Sequence, residues 1–267
     1  MARTPRTAST LTAYLLHRYH WSESSLILDL FTREQGRIAV AAKGARRPYS
    51  QLRSVLLPFQ RIHVALGRVP RLGSEEDQSR EVRNLRSAEW AGGAPMLAGA
   101  ALFSGFYLNE LLLKLLARQD PHAELFDAYA GTLPALASGD EWRVQAALRA
   151  FELTLLKQIG LLPDLATTTL RLVPVEAQRG YHVLHDSGVA EADDAQGLPG
   201  VALVGLQAAL DHGSLAALQQ ACAPVLPGLK TALRGLLHYH LGTTLLRTRQ
   251  VVLGVQALET SRGDVSR

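Results

Sequence analysis

The sequence predicts an α+β protein of two domains, a five-stranded β-barrel over residues 1–91 and a mostly helical domain over residues 92–267. Three observations carry that reading. Short apolar runs alternate with period two from Thr10 to Trp90. The breaker cluster Gly92-Gly93-Ala94-Pro95 follows them. Beyond it, apolar residues recur at helical spacing.

In the first domain Leu11, Ala13 and Leu15 mark one strand and Leu26, Leu28 and Leu30 a second. A tight turn at Gln35-Gly36 leads into a third, marked by Ile38, Val40 and Ala42. Ile62, Val64 and Leu66 mark a fourth, and a short fifth covers Glu81 to Ser87. The stretch Val69–Ser79, with its Pro, Gly and acidic run, reads as a mobile hairpin tip. Five short antiparallel strands suit a Greek-key barrel of the OB type; an SH3-like barrel or a small sandwich fits the same pattern.

In the second domain Leu97, Ala101, Leu108, Leu111, Leu112 and Leu115 form a helical stripe, with Glu110 and Lys114 an i,i+4 pair. Asp120-Pro121 restarts a helix, and Asp140 caps another that stops at Gly160 and Pro163. The pattern is lost over about residues 164–200, an irregular insert where Val173, Val175 and Tyr181–Leu184 read as short strands. Helical pattern returns from Val201 to Gln220 and from Leu229 to Gln250.

Charge is unevenly distributed. From Arg33 to Arg71 nine Lys or Arg residues stand against one carboxylate, Glu34, although the whole chain carries only +4. Arg33, Arg37, Lys43, Arg46, Arg47 and Arg53, with Tyr49 as a stacking surface, are therefore the candidate nucleic-acid contacts. Such sites combine a cationic groove with an aromatic platform. Alternation places Arg37 and Lys43 on one solvent face with the basic loop. A second basic set, Lys230, Arg234 and His238 at i, i+4 and i+8, followed by Arg247 and Arg249, suits a DNA track or a dock for an acidic peptide.

Catalysis finds no support. No Gly-x-Ser-x-Gly, His-Glu-x-x-His or Gly-x-x-x-x-Gly-Lys-Ser/Thr motif occurs, so no enzyme is expected. His182, His185 and Asp186 come nearest to a metal set, and no metal site is predicted from them. Cys222 is the only cysteine, which rules out an intramolecular disulfide and a thiolate zinc site. It reads as a small buried hydrophobe. No run reaches the ~18 apolar residues of a membrane span, and Tyr14, His17, Arg18 and His20 interrupt any leader, so a cytoplasmic protein is expected.

Several segments together resemble the RecO family of bacterial DNA repair proteins. They are Asp29-Leu30-Phe31-Thr32-Arg33-Glu34-x-Gly36-Arg37, Ala42-Lys43-Gly44-Ala45-Arg46-Arg47, Tyr107-Leu108-Asn109-Glu110, Phe151-Glu152-Leu153, Gly160-x-x-Pro163 and Leu237-x-x-His240-Leu241-Gly242. The resemblance implies an OB-fold followed by a helical domain, and an activity that is not enzymatic. Members bind single- and double-stranded DNA without sequence specificity and anneal complementary strands. With RecR they load RecA onto DNA coated by single-strand binding protein (SSB); whether RecF takes part stays open. The resemblance also implies a nucleoid-associated location and a groove for the acidic, apolar-ended SSB tail, with a rim cation from Arg118, Lys230, Arg234 or Arg247. Many members carry a four-cysteine zinc motif after the helix that ends here at Pro163. Residues 166–194 hold no cysteine, so zinc is not expected. Two other readings compete: an RNA-binding OB module, and a basic adaptor for an acidic protein.

Overall fold

A computed structural model describes residues 10–67, 82–93, 95–193, 197–242, 246–248, 250 and 251. The expected hairpin tip 69–79, the basic residues Arg68, Arg71 and Arg249, and Ala94 of the breaker cluster lie outside them. The chain divides into two compact units, residues 1–97 with 116–130, and residues 98–115 with 131–267.

The first unit is a barrel of β1 (Thr10–His20), β2 (Leu26–Thr32), β3 (Gly36–Ala42), β4 (Gln60–Leu66) and β5 (Arg83–Gly93). It closes in the order β1-β2-β3-β5-β4, as an OB fold does. Closure removes the exposed edges an open sheet would leave. All pairs are antiparallel except β3 with β5. A register shift between Leu15 and His17 lets β1 pair with β4 through residues 10–14 and continue along β2 to His20. The expected inward set, Leu11, Ala13, Leu15, Leu28, Leu30, Ile38, Val40, Ile62 and Val64, is the core. A single helical turn, α1 (Leu52–Val55), joins β3 to β4, and Leu52 and Val55 pack against that core.

Two sequence expectations shift here. The fifth strand runs on to Gly93, so Gly92 (φ +79°) and Gly93 end a strand and do not merely follow one. Strict alternation also fails, because Tyr14 and Phe31 on the outward face are buried too. Phe126 and Tyr129 cover them, with ring centroids 5.0–5.3 Å from Tyr14 and 5.4–6.2 Å from Phe31. These are ordinary spacings for attractive aromatic pairs. The covering residues belong to the stretch 116–130, which returns to the barrel after an intervening helix.

The second unit contains α2 (Gly99–Leu115), the later part of α3 (Ala123–Leu136), α4 (Glu141–Gln158), α5 (Gly200–His212), α6 (Leu215–Cys222) and α7 (Leu226–Leu241). Asp140 caps α4 as expected, its side chain accepting from the Arg143 N–H at 3.2 Å. α4 packs against α6 and α7 and carries the unit's buried centre. The stretch 164–200 contains a three-stranded antiparallel sheet of β6 (Gly180–Leu184), β7 (Gly188–Glu191) and β8 (Leu198–Pro199), in the order β7-β6-β8. Its strands are two to five residues long, too short to show a period. Val173 and Val175 fall outside them, beside an isolated bridge between Thr167 and Pro174. Among the described residues no helix is long and apolar enough to cross a membrane.

Candidate nucleic-acid interface

The barrel's basic loop is built by two turns that hold each other. In the β1–β2 hairpin the Trp21 and Ser22 N–H groups donate to the Ser25 carbonyl. The following loop docks on this turn: the Arg46 N–H donates to the Ser24 carbonyl at 3.0 Å, and its Nη1 to the Ser22 carbonyl at 3.1 Å. Gly44 makes the sharp entry at φ +71°, where a side chain would be strained. Successive turn bonds, Arg47 to Gly44, Ser50 to Arg47 and Arg53 to Ser50, then lead into α1. Lys43, Arg46, Arg47 and Arg53 are all exposed on this scaffold. Tyr49 is 99% exposed.

The end of β1 adds residues that the sequence did not single out. Arg18, His20 and Trp21 are exposed beside the basic loop, and Arg18 and His20 share a pocket with Arg46 and Arg53. The pocket has a volume of about 400 Å³ and an apolar floor of Leu26, Ala45, Leu52 and Leu56. The signal was available: from His17 to His20 apolar alternation stops, where β1 has left β4 and pairs with β2 alone.

Arg33 and Arg37 belong to a different place. Alternation does put Arg37 on the same face as Lys43, but at the opposite end of β3, roughly 20 Å away at the usual strand rise. Arg33 is engaged bidentately by Asp127, with Nε–Oδ1 3.0 Å and Nη2–Oδ2 2.9 Å. Arg37 is half-buried, and its carbonyl accepts from the Gln119 N–H at 2.9 Å. Arg118 stands here as well, 3.9 Å from the buried Asp29 carboxylate. One basic stretch of sequence thus supplies two surfaces, and the denser cluster is the one at Lys43–Arg53.

The second unit holds the other basic set. Lys230 and Arg234 are exposed along α7 and His238 half-buried, over a groove of about 350 Å³ whose apolar walls include Phe103, Leu148, Leu237 and Leu246. At its base Glu152 is fully buried; its Oε1 accepts from the Tyr107 hydroxyl at 2.7 Å and meets Arg149 Nη2 at 2.7 Å. Burial pushes this carboxyl up, against the pull of Arg149 and the Tyr107 hydrogen bond. Glu110 anchors the segment 246–248: its carboxylate accepts from the Arg247 and Thr248 N–H groups at 2.8 and 2.9 Å, and from the Thr248 hydroxyl at 2.6 Å. Burial alone would raise the Glu110 carboxyl; the bonds from Thr248 and Arg247 outweigh it and leave the group below its ordinary value.

The residues considered for chemistry stand apart. Burial pushes the Cys222 thiol up to about 12, which removes the thiolate a nucleophile needs. His185 lies edge-on to Tyr239 at 4.3 Å. Among the described residues no three His, Cys, Asp or Glu side chains are placed to hold a metal.

Comparison with known proteins agrees with this architecture. The family model described as Recombination protein O N terminal matches residues 7–86, and that described as Recombination protein O C terminal matches residues 96–250. A DNA repair protein RecO from Polaromonas sp. is 51% identical over 249 residues, covering 92% of this chain and 96% of its own length. Those of Polaromonas naphthalenivorans and Albidiferax ferrireducens are 51% and 48% identical, over 92% of this chain and 96% and 95% of their own. A barrel closed in OB order, a helical unit later in the chain and near-complete alignment at about half identity all agree: the chain belongs to the RecO family of DNA repair proteins.

Proposed function

We propose that this chain is a non-catalytic DNA-repair mediator that binds single- and double-stranded DNA through the Lys43–Arg53 end of its barrel and anneals complementary strands. The observation that carries the reading is the built, exposed cluster of Lys43, Arg46, Arg47 and Arg53 beside Tyr49. Cations of this kind neutralise phosphates and release counterions. Phosphate contacts position a strand without reading its bases, so binding is independent of sequence. Two strands held with part of their charge neutralised can pair, which requires no covalent chemistry from the protein. In the cell the same protein would act near the nucleoid with RecR, helping RecA onto SSB-coated strands. The groove under Lys230 and Arg234 supports a dock for the acidic, apolar-ended SSB tail: apolar walls for its last residue and a cationic rim for its carboxylates.

Fluorescence anisotropy of labelled single-stranded DNA at several salt concentrations tests the reading. Four neutralised phosphates give a log–log salt slope of about −3, and Arg47→Ala/Arg53→Ala makes it shallower by about 1.4. Arg46 is left in place because it also holds the loop to Ser22 and Ser24. An unchanged slope in the double variant places the DNA elsewhere. Tighter binding of matched RNA favours the RNA module, and binding no better than to heparin favours the adaptor.

A further inference from the structure

We propose that the pocket at this end of the barrel holds one unpaired nucleotide, its base on the apolar floor and its phosphates on the arginine rim. The inference rests on the DNA-binding reading and adds a place where a base leaves the stack. A volume of about 400 Å³ lies in the range of small-molecule sites. The lining is of two kinds. Arg18, Arg46 and Arg53 supply guanidinium groups, while Leu26, Leu52 and Leu56 supply an apolar surface. A phosphate backbone alone has no use for the leucines, and an apolar side chain has none for three arginines. A nucleotide uses both, through a ring with an apolar face and an adjacent dianion or diester.

The site is also preorganised. The arginines come from three elements, β1, the basic loop and α1, and Arg46 is tied at both its N–H and its guanidinium. Leu26 and Leu56 are 7% and 2% exposed and are part of the barrel core, so the floor cannot swing away. An unpaired base enters without breaking a pair, whereas a paired base must first be flipped out. The pocket therefore favours single strands over duplex and yields its base when a complementary strand competes for it.

The test compares a short oligothymidylate with an abasic oligomer of the same length, at equal salt, on the full chain. The abasic oligomer is expected to bind about tenfold more weakly, the scale of one lost base contact, with an unchanged salt slope. Leu52→Trp fills the pocket while keeping every cation, and should remove most of that difference. Deoxyadenosine monophosphate should displace oligothymidylate at concentrations where inorganic phosphate does not. The abasic comparison and the mononucleotide competition need no variant, and circular dichroism checks that Leu52→Trp is folded. Equal binding of the two oligomers overturns the nucleotide pocket and leaves the DNA reading standing. A folded Leu52→Trp that keeps the full difference also overturns it, since the base is then recognised elsewhere. If oligothymidylate itself fails to bind, the DNA reading falls first.

Discussion

Replacing Arg149 by Met leaves the Glu152 carboxylate buried without its ion-pair partner, keeping the Tyr107 hydroxyl as a hydrogen-bond donor. Glu152 is 0% exposed at its side chain and Arg149 8%, so water cannot take over the lost contact. Breaking one side of such a pair costs about 3–5 kcal/mol, because an uncompensated charge stays buried. Glu152→Leu costs a similar amount, for the stranded guanidinium. The double variant Arg149→Met/Glu152→Leu strands neither charge and leaves only the Tyr107 hydroxyl without its acceptor, so it should cost about 1–3 kcal/mol at most, less than either single change. At the usual 2–4 °C per kcal/mol for a unit of this size, each single variant lowers the melting temperature by roughly 10 °C. Thermal and urea unfolding followed by the helical circular dichroism signal read this directly. The signature is strong coupling, with two costly single changes and an inexpensive double one. Single variants that each cost under about 1 kcal/mol, and simply add, would mean that the pair is solvated. The pH dependence has a definite sign. The folded Glu152 carboxyl is raised above its unfolded value, so the native state holds this proton longer. Its contribution is greatest below the unfolded pKa and declines as pH rises through the folded one.

Glu110 works in the opposite sense: its folded carboxyl is lowered, so its contribution is present above the unfolded pKa and lost as pH falls through the folded one. Limited proteolysis near residues 246–248 should speed up with acid, and Glu110→Gln should be cut faster already at neutral pH. Gly36→Ala should destabilise the barrel by at least about 2 kcal/mol, measurable by thermal unfolding. At φ +65° the left-handed backbone alone costs a side chain about 1–2 kcal/mol, and the new Cβ would overlap the Asp120 carbonyl. Arg33→Ala should change DNA affinity by less than Arg47→Ala in the same anisotropy assay, because Arg33 is committed to Asp127. The stability change should stay within about 1 kcal/mol, as for exposed pairs.

Much of the fold is legible in short windows. Leu28, Leu30, Ile38 and Val40 announce half-buried strands, and Asp140 announces the start of α4, because alternation and capping are decided within a few residues. The basic loop is visible on the same terms, as consecutive cations between Gly44 and Pro48. The small sheet at 180–199 was only half visible, since strands of two to five residues carry too few positions for a period.

The sequence by itself determined the barrel's inward face, the helices that follow it in the chain, the want of a thiolate metal site and the family, each a matter of local pattern or of residue types in order. Only the tertiary structure decided which cations stand together. Arg33 meets Asp127 across 94 positions, and Phe126 with Tyr129 buries the outward faces of Tyr14 and Phe31. Arg18 joins Arg46 and Arg53 because β1 ends beside the loop that follows β3. The physical reason is that strand pairing and chain return join residues far apart in sequence. No window of local periodicity contains both partners.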